Sequence, residues 1–272
     1  MGANRLQRLL FGSADRVLSV RLASWNETEA QGYRVEKPSG EFIKTPDPKS
    51  ADAIIETKGA LQLDGEGNLR GQVHVVFTGQ DALQRRLAGS DKDDAGRRKA
   101  LVDEVKSWLP PSSTAEFTDL NKWDQSAEPV RAEFAINIPG YASSTGRRLL
   151  APLGIFHLNR QHAFQNAKRI HPVYFPYPYQ QVDEIEVQLP AGLKVESLPK
   201  PLSQQAPFGR YEISFKGEGG RLLIRRQMTM DGIIFRTESY PELRIFYNGI
   251  RSGDEQQAVL QNNVAADSSD RK

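Results

Sequence analysis

The chain has 272 residues, of which 38% are hydrophobic and 26% charged, so we expect a folded protein with a sizeable core rather than a disordered chain. Its 36 basic residues nearly balance 34 acidic ones, and a net charge of +2 argues against a nucleic-acid binder that relies on a strong positive field. The absence of cysteine excludes disulfides, thiolate metal sites, iron–sulfur clusters and a cysteine nucleophile within this sequence.

Residues 1–51 are predicted to be an accessory or linker segment. Val17–Ala23 could form one strand, and Lys37–Gly40 and Thr45–Pro48 are strong turn signals. The first residues contain no apolar stretch of the roughly 7–15 residues that a secretory signal needs, so we expect no export signal in this sequence. We also expect no membrane span, because no segment approaches about 18 to 20 consecutive apolar residues.

Two strands and then two helices are predicted from residue 52 onward. Ala53–Leu63 and Leu69–Thr78 flank the turn Asp64–Gly67, which is typical of a β-hairpin. Thr78 is a plausible N-cap for a first helix. A second helix is predicted from about Asp93 to Leu109, because its apolar residues recur at helical spacing: Leu101, Val105, Trp108 and Leu109. The helical pair therefore lies near residues 79–109.

Strands resume after the helices, with apolar and polar residues alternating as in a sheet with one face in water. The predicted strands are Val130–Ile138, Val182–Leu189, Gly192–Leu198, the segment around Tyr211–Phe215, and Leu222–Met230. Asp231–Gly232 is a hairpin signal leading to Ile233–Arg236, and Pro241 suits the first turn of a short C-terminal helix. The pattern predicts a mainly β fold: an antiparallel β-sandwich over residues 52–261, with the inserted helices, followed by a disordered tail at 262–272.

The titratable residues give weak signals for chemistry. The four histidines, His74, His157, His162 and His171, lack the spacing of a zinc motif, so we interpret them as scattered surface residues and predict no metal site and no cofactor. Glu184 and Glu186 share one strand face about 6.5–7 Å apart, within the range of a glycosidase carboxylate pair. A solvated strand face explains them better. The basic pair Arg225–Arg226 is likewise interpreted as solvated.

The most unusual segment is the proline- and aromatic-rich His171–Tyr179. Its aromatic residues are candidate contacts for a glycan or peptide ligand: Tyr174, Phe175, Tyr177 and Tyr179. The favoured alternative is an extended segment at a sheet edge, whose prolines block further pairing while alternate aromatics pack on the core. No GxSxG, phosphate-loop or dinucleotide-loop motif occurs, so no catalytic residue is assigned.

Several stretches together resemble the C-terminal β-rich region of the bacterial transglutaminase-like proteins that carry a DUF3857 domain. Residues 32–48 resemble the linker that precedes that region in those proteins. The matching stretches, in order, are Ala60–Thr78, Gly79–Arg86, Arg169–Pro176, Val182–Pro199, Phe208–Phe215 and Tyr240–Leu260.

The resemblance implies a non-catalytic role for this chain. In that family the chemistry belongs to a Cys-His-Asp triad in a papain-like core, and neither the cysteine nor the core sequence is present here. We therefore expect a scaffold or interaction module whose partner is a transglutaminase-like core domain or another protein, and no enzyme activity. The resemblance also suggests a periplasmic location. An independent glycan- or peptide-binding module and a hydrolase with an unrecognised site remain alternatives.

Overall fold

The computed structural model of the chain describes residues 31–35, 39–44, 47–160 and 162–262. The strand predicted for Val17–Ala23 lies outside these residues. So does the tail predicted for 262–272, apart from Asn262, which ends the last strand. The predicted division at residues 51 and 261 stays a prediction.

A sheet of eight strands forms the body of the molecule. In spatial order the strands are β12 (Leu202–Ala206), β13 (Gly209–Glu218), β14 (Arg221–Met230), β10 (Tyr179–Gln188), β3 (Ile54–Leu63), β4 (Leu69–Phe77), β6 (Val130–Ile138) and β5 (Thr114–Asn121). Neighbours are antiparallel except β10 and β3, which run parallel with Gln180 opposite Ile54. The parallel pair departs from the purely antiparallel prediction, because a long connection containing two helices joins these strands instead of a hairpin.

A second sheet packs against the first through a shared hydrophobic core. Its spatial order is β11 (Leu193–Ser197), β16 (Gln257–Asn262), β8 (Arg148–Pro152) and β7 (Ser143–Thr145). Leu61 and Phe134 of the eight-stranded sheet and Leu149 and Leu260 of the second are all buried in this core. Two sheets that bury their apolar faces against each other confirm the mainly β, sandwich-like prediction.

The predicted helical pair is confirmed as α1 (Gly79–Ala88) and α2 (Asp94–Trp108). The Asp93 side chain caps α2 by accepting a hydrogen bond from Gly96 N at 2.8 Å. From α1, the buried guanidinium of Arg86 donates to a row of carbonyl oxygens in the loop between β5 and β6, those of Lys122, Trp123, Gln125 and Glu128. One side chain therefore holds a loop that no strand ladder supports.

The predicted C-terminal helix is α3 (Tyr240–Asp254), with Pro241 in its first turn. Its apolar face covers a second, smaller core formed with β13 and β14. This core contains Tyr211, Met230, Leu243, Phe246 and Ile250. The helix therefore ends, at Asp254, directly above the strands that carry the charged residues described below.

Two small two-stranded sheets complete the fold. One is the hairpin of β1 (Gln31–Val35) and β2 (Gly40–Lys44), and the other pairs β9 (Val173–Tyr174) with β15 (Ile234–Phe235). The hairpin predicted at Asp231–Gly232 is therefore wrong. The backbone N–H groups of both residues donate to the Phe208 carbonyl, and the Asp231 carboxylate accepts from Ser50, so the chain turns toward β9 instead of folding back on β14.

Candidate functional site

Five polar side chains meet in the interior where β10, β13, β14 and the end of α3 converge. We call this group the buried charge cluster: His157, Asp183, Tyr211, Arg226 and Asp254. Asp183 and Arg226 are opposite one another in the register of β10 and β14. His157 comes from a 3-10 turn, Ile155–His157, that follows β8. The cluster thus joins the eight-stranded sheet to two other parts of the fold.

Arg226 connects the two acids of the cluster. Its Nε and Nη2 donate to the two carboxylate oxygens of Asp254 at 2.6 and 3.0 Å, and its Nη1 lies 3.6 Å from Oδ2 of Asp183. The Tyr211 hydroxyl donates to Asp254 Oδ1 at 2.8 Å. His157 Nε2–H donates to Asp183 Oδ2 at 2.7 Å. Such a bidentate, hydrogen-bonded arrangement compensates for removing the charges from water.

The electrostatics keep both acids ionised. Burial alone would raise the pKa of Asp183, but the interaction with His157, and after it the charge of Arg226, outweigh burial and leave that pKa below its ordinary value. The pKa of Asp254 is lowered against the same burial effect by Arg226 and Tyr211. Burial, with repulsion from Arg226, lowers the pKa of His157 despite the nearby Asp183. At neutral pH the histidine is therefore uncharged.

A cleft of about 350 Å³ opens beside the cluster. Its polar wall includes Arg160, the hydroxyl pair Tyr179–Tyr247, with oxygens 3.1 Å apart, and Arg226 and Asp254 of the cluster. Its apolar wall includes Leu158, Met228 and Ile250. A smaller cleft of about 220 Å³ lies on another side of His157 and Asp183. Two buried nitrogens of the cluster, His157 Nδ1 and Arg226 Nη1, have no hydrogen-bond partner in the described structure.

The prediction that all histidines are surface residues is wrong for His157, whose side chain is only 5% exposed. His74 and His162 are largely exposed, near Glu133 and Glu255, and His171 is exposed as well. Within the described part of the chain, no three His, Asp or Glu side chains are grouped so that they could hold a metal ion. The four histidines are therefore spread over different parts of the fold.

The interpretation of Arg225–Arg226 as a solvated pair is correct for only one of the two. Arg225 is 78% exposed and Arg226 only 2%, because successive strand residues point to opposite faces. Glu184 and Glu186 lie on the solvent face, where Glu184 is 3.9 Å from Lys58 and Glu186 is 3.1 Å from Arg221. Their environment is that of a charged, solvated strand face.

The four candidate aromatic contacts occupy different environments. Tyr174 is exposed on β9 opposite Ile234, whereas Phe175 packs within an aromatic group that includes Phe235 and Tyr247. The Tyr177 hydroxyl donates to Asp81 Oδ1 at 3.3 Å, and the Tyr179 hydroxyl pairs with that of Tyr247. The rings therefore do not form one flat platform, and a role for each in ligand contact stays a prediction.

Comparison with known proteins finds a family model that is similar to part of the chain. A family model for a domain of unknown function, DUF3858, matches residues 147–260, the segment from β8 to β16 that contains the whole buried charge cluster. No curated protein matches the chain. A crystal structure of a "putative protease" from Parabacteroides distasonis is 17% identical, covering 35% of this chain and 19% of that chain, with a TM-score of 0.32. A similarity of this extent does not bear on activity.

In the part of the chain that the structure describes, no helix is both long and apolar enough to cross a membrane.

Proposed function

We propose that this chain is a non-catalytic β module that acts as a scaffold or interaction domain beside a transglutaminase-like core domain. The resemblance to the proteins that carry a DUF3857 domain supports this choice of partner. Its last four stretches fall inside the segment that the DUF3858 model matches. The observation that carries the proposal is a pair of exposed aromatic side chains on the β1–β2 hairpin.

Tyr33 and Phe42 face each other across this hairpin as an edge-to-face pair, with ring centroids 5.0 Å apart. Tyr33 is 55% exposed and Phe42 is 82% exposed. A two-stranded hairpin is at best marginally stable alone, and exposed aromatic side chains on such a unit are typical of a protein contact. The hairpin also lies in the stretch that resembles the linker to the core, so a core domain is the occupant to which the proposal commits.

The buried charges support a non-catalytic role. Both acids of the buried charge cluster are held by Arg226, His157 and Tyr211, so each carboxylate already has its partners within the cluster. Charges used in this way fix the position of α3 and the Ile155–His157 turn on the sheet. A well-packed body that carries an exposed aromatic hairpin is what a docking module requires.

The proposal is tested by measuring binding between the full chain and a separately expressed transglutaminase-like core domain from the same genome. We expect Phe42→Ser to raise the dissociation constant at least tenfold. Burying a phenylalanine side chain contributes about 1.5–3 kcal/mol to binding, and a tenfold change in the dissociation constant corresponds to about 1.4 kcal/mol. Biolayer interferometry measures the dissociation constants of the wild-type chain and of Phe42→Ser.

Ile245→Ser is the matched control, because Ile245 is also exposed, at 65%, but lies on α3. Its affinity for the core domain should equal that of the wild type. The proposal is wrong if the wild-type chain fails to bind the core domain, or if both substitutions weaken binding equally.

A hydrolase is a second candidate, favoured by the pair His157–Asp183 at the edge of the cleft. A histidine held by an acid is the base half of a nucleophile–histidine–acid arrangement. Under the non-catalytic proposal, the chain hydrolyses neither p-nitrophenyl esters nor peptide p-nitroanilides above the buffer rate. Turnover that is lost in His157→Gln but kept in His74→Gln, with both variants folded by circular dichroism, would establish the hydrolase instead.

A further inference from the structure

We propose that the cleft beside the buried charge cluster binds a carboxylate group carried on an apolar body, with Arg160 and the hydroxyl pair Tyr179–Tyr247 as its hydrogen-bond donors. This inference does not depend on the proposed docking role. It rests on which donors of the cleft are already used and which are not.

Arg160 is the arginine of this cleft that no carboxylate holds. Arg226 is bonded to Asp254, and Arg251 Nε donates to Glu255 at 2.9 Å. For Arg160 the described residues provide one hydrogen bond, from Nη1 to the neutral amide oxygen of Gln181 at 3.1 Å. A guanidinium has five N–H donors in a planar fork that matches a carboxylate. Most of the donors of Arg160 thus remain available.

The environment of Arg160 favours an incoming anion. Arg160 is exposed as a residue, and lost solvation of its guanidinium together with repulsion from Arg226 lowers its pKa, while Asp183, Tyr179 and Asp254 partly offset this shift. The group stays charged at neutral pH. A carboxylate bound in the cleft would give this cation the ion pair that the described residues do not provide.

The two tyrosine hydroxyls provide a further donor. Tyr179 and Tyr247 share one hydrogen bond, which uses one of their two hydroxyl hydrogens and leaves the other to donate elsewhere. Arg160 acts electrostatically on both phenols, partly offsetting the rise in pKa that burial causes in each. The guanidinium and the hydroxyl pair line the same cleft and are therefore available to the same ligand.

Arg226 adds a second positive charge to the wall of the same cleft. Arg226 is 2% exposed and lines the same cleft, and its Nη1 lies 3.6 Å from Asp183, too far for a hydrogen bond. Nη1 is one of the buried polar atoms left without a hydrogen-bond partner in the described structure. This donor is closed to the cleft and faces Asp183, so Arg226 adds positive charge to the site rather than a hydrogen bond.

Charge and size define the class of ligand. Asp254 and Glu255 also line the cleft, so a doubly charged phosphate would meet repulsion that a single carboxylate charge largely avoids. The apolar wall of Leu158, Met228 and Ile250 suits a hydrocarbon or aromatic body. A volume of about 350 Å³ lies at the small end of ligand pockets.

The test is calorimetric titration of the full chain with 3-phenylpropanoate and with its neutral isostere 3-phenylpropanamide. We expect the carboxylate to bind at least tenfold more tightly than the amide, and inorganic phosphate not to bind. Arg160→Gln should reduce the affinity for the carboxylate at least tenfold and leave that for the amide unchanged. Arg210→Gln, an exposed arginine on β13, is the matched control and should behave as wild type.

A pair of peptide-like probes, N-acetylphenylalanine and its amide, distinguishes a peptide C-terminus from a free acid as the source of the carboxylate. Preference for either acid over its amide, lost in Arg160→Gln, supports the site. The proposal is overturned if neither acid binds at 10 mM, if acid and amide bind equally, or if Arg160→Gln binds the acids as well as Arg210→Gln does.

Discussion

Arg226 is the residue on which the arrangement of the buried charges depends. It contacts acids from two different elements, Asp183 on β10 and Asp254 at the end of α3, and its guanidinium lies 5.3 Å from the centre of the Tyr211 ring. Attraction to Asp254 outweighs burial and raises the pKa of Arg226 further. Removing this one cation would leave Asp254 without its ion pair and Asp183 with only the hydrogen bond from His157.

We expect Arg226→Met to lower the free energy of unfolding by about 3–5 kcal/mol, the usual cost of breaking a buried ion pair from one side. Arg225→Met, one residue away on the solvent face, should change it by less than about 0.5 kcal/mol. Urea denaturation at pH 7.5 measures both. Equal stabilities for the two variants would show that the cluster is solvated in solution.

The lowered pKa of His157 predicts a pH dependence of stability. Between the ordinary pKa of 6.5 and the lower folded value, the unfolded chain binds a proton that the native histidine does not, so stability falls as the pH falls below about 6.5. One such proton contributes a slope of at most about 1.4 kcal/mol per pH unit.

We expect the stability difference between wild type and His157→Gln to shrink as the pH is lowered from 8 to 5.5, because glutamine takes up no proton in either state. His74→Gln, at a largely exposed histidine, should not show this convergence. Denaturation midpoints at four pH values give the comparison. Parallel curves for wild type and His157→Gln would contradict a neutral buried histidine.

Two residues of the buried charge cluster, Arg226 and Asp183, could have been found from the alternation of apolar residues along their strands. The apolar alternation Leu222, Ile224, Met228 and Met230 places Arg226 on the buried face, and the alternation Ile185, Val187 and Leu189 does the same for Asp183. A charged residue in the apolar phase indicates a buried partner. The partner itself could not be predicted, because the register of β10 against β14 is a tertiary property.

At the scale of elements, local signals predicted strands and helices well where periodicity was strong. The β3–β4 hairpin and the pair α1–α2 follow from alternation, a glycine-containing turn and apolar residues at helical spacing, although the side chain of the predicted N-cap Thr78 makes no capping hydrogen bond. The pairing of β15 with β9 did not follow, because two-residue strands carry no periodicity and distant contacts to Phe208 and Ser50 decide their direction. The loop held by Arg86 likewise has no local signal.

We expect Arg86→Met to open the loop between β5 and β6, because several carbonyl oxygens lose their common donor. The free energy of unfolding should fall by about 1–3 kcal/mol, because some of the freed carbonyl oxygens can accept hydrogen bonds from water. Limited trypsin digestion should cut at Lys122 faster than in wild type. Arg70→Met, an exposed arginine on β4, serves as the control. An unchanged cleavage rate at Lys122 would mean that the backbone alone holds the loop.

At the scale of the whole molecule, the segment matched by DUF3858 is not a complete packing unit. Residues 147–260 supply β10 and its neighbours on one side, but the strands β3 to β6 on the other side lie before residue 147. The second sheet also packs on side chains from those strands, such as Leu61 and Phe134. The core therefore draws on both parts of the chain.

We expect a truncated chain of residues 147–262 to lose fixed tertiary structure, because β10 would expose a full edge and the core would lose half of its lining. Near-ultraviolet circular dichroism should be weak and gel filtration should show aggregates. A chain of residues 47–262, which retains both sheets, should keep the near-ultraviolet spectrum of the full chain. A monomeric, cooperatively unfolding fragment would instead identify the segment as an independent domain.

The parallel pairing of β3 and β10 has a consequence for synthesis on the ribosome. About 125 residues separate Ile54 from its partner Gln180, so at about 5–20 residues per second the first strand waits roughly 6–25 s for the second. During that time one edge of β3 is open to pairing with other nascent chains. Charged side chains on this strand, Glu56 and Lys58, make such pairing unfavourable and so protect the chain until β10 has emerged.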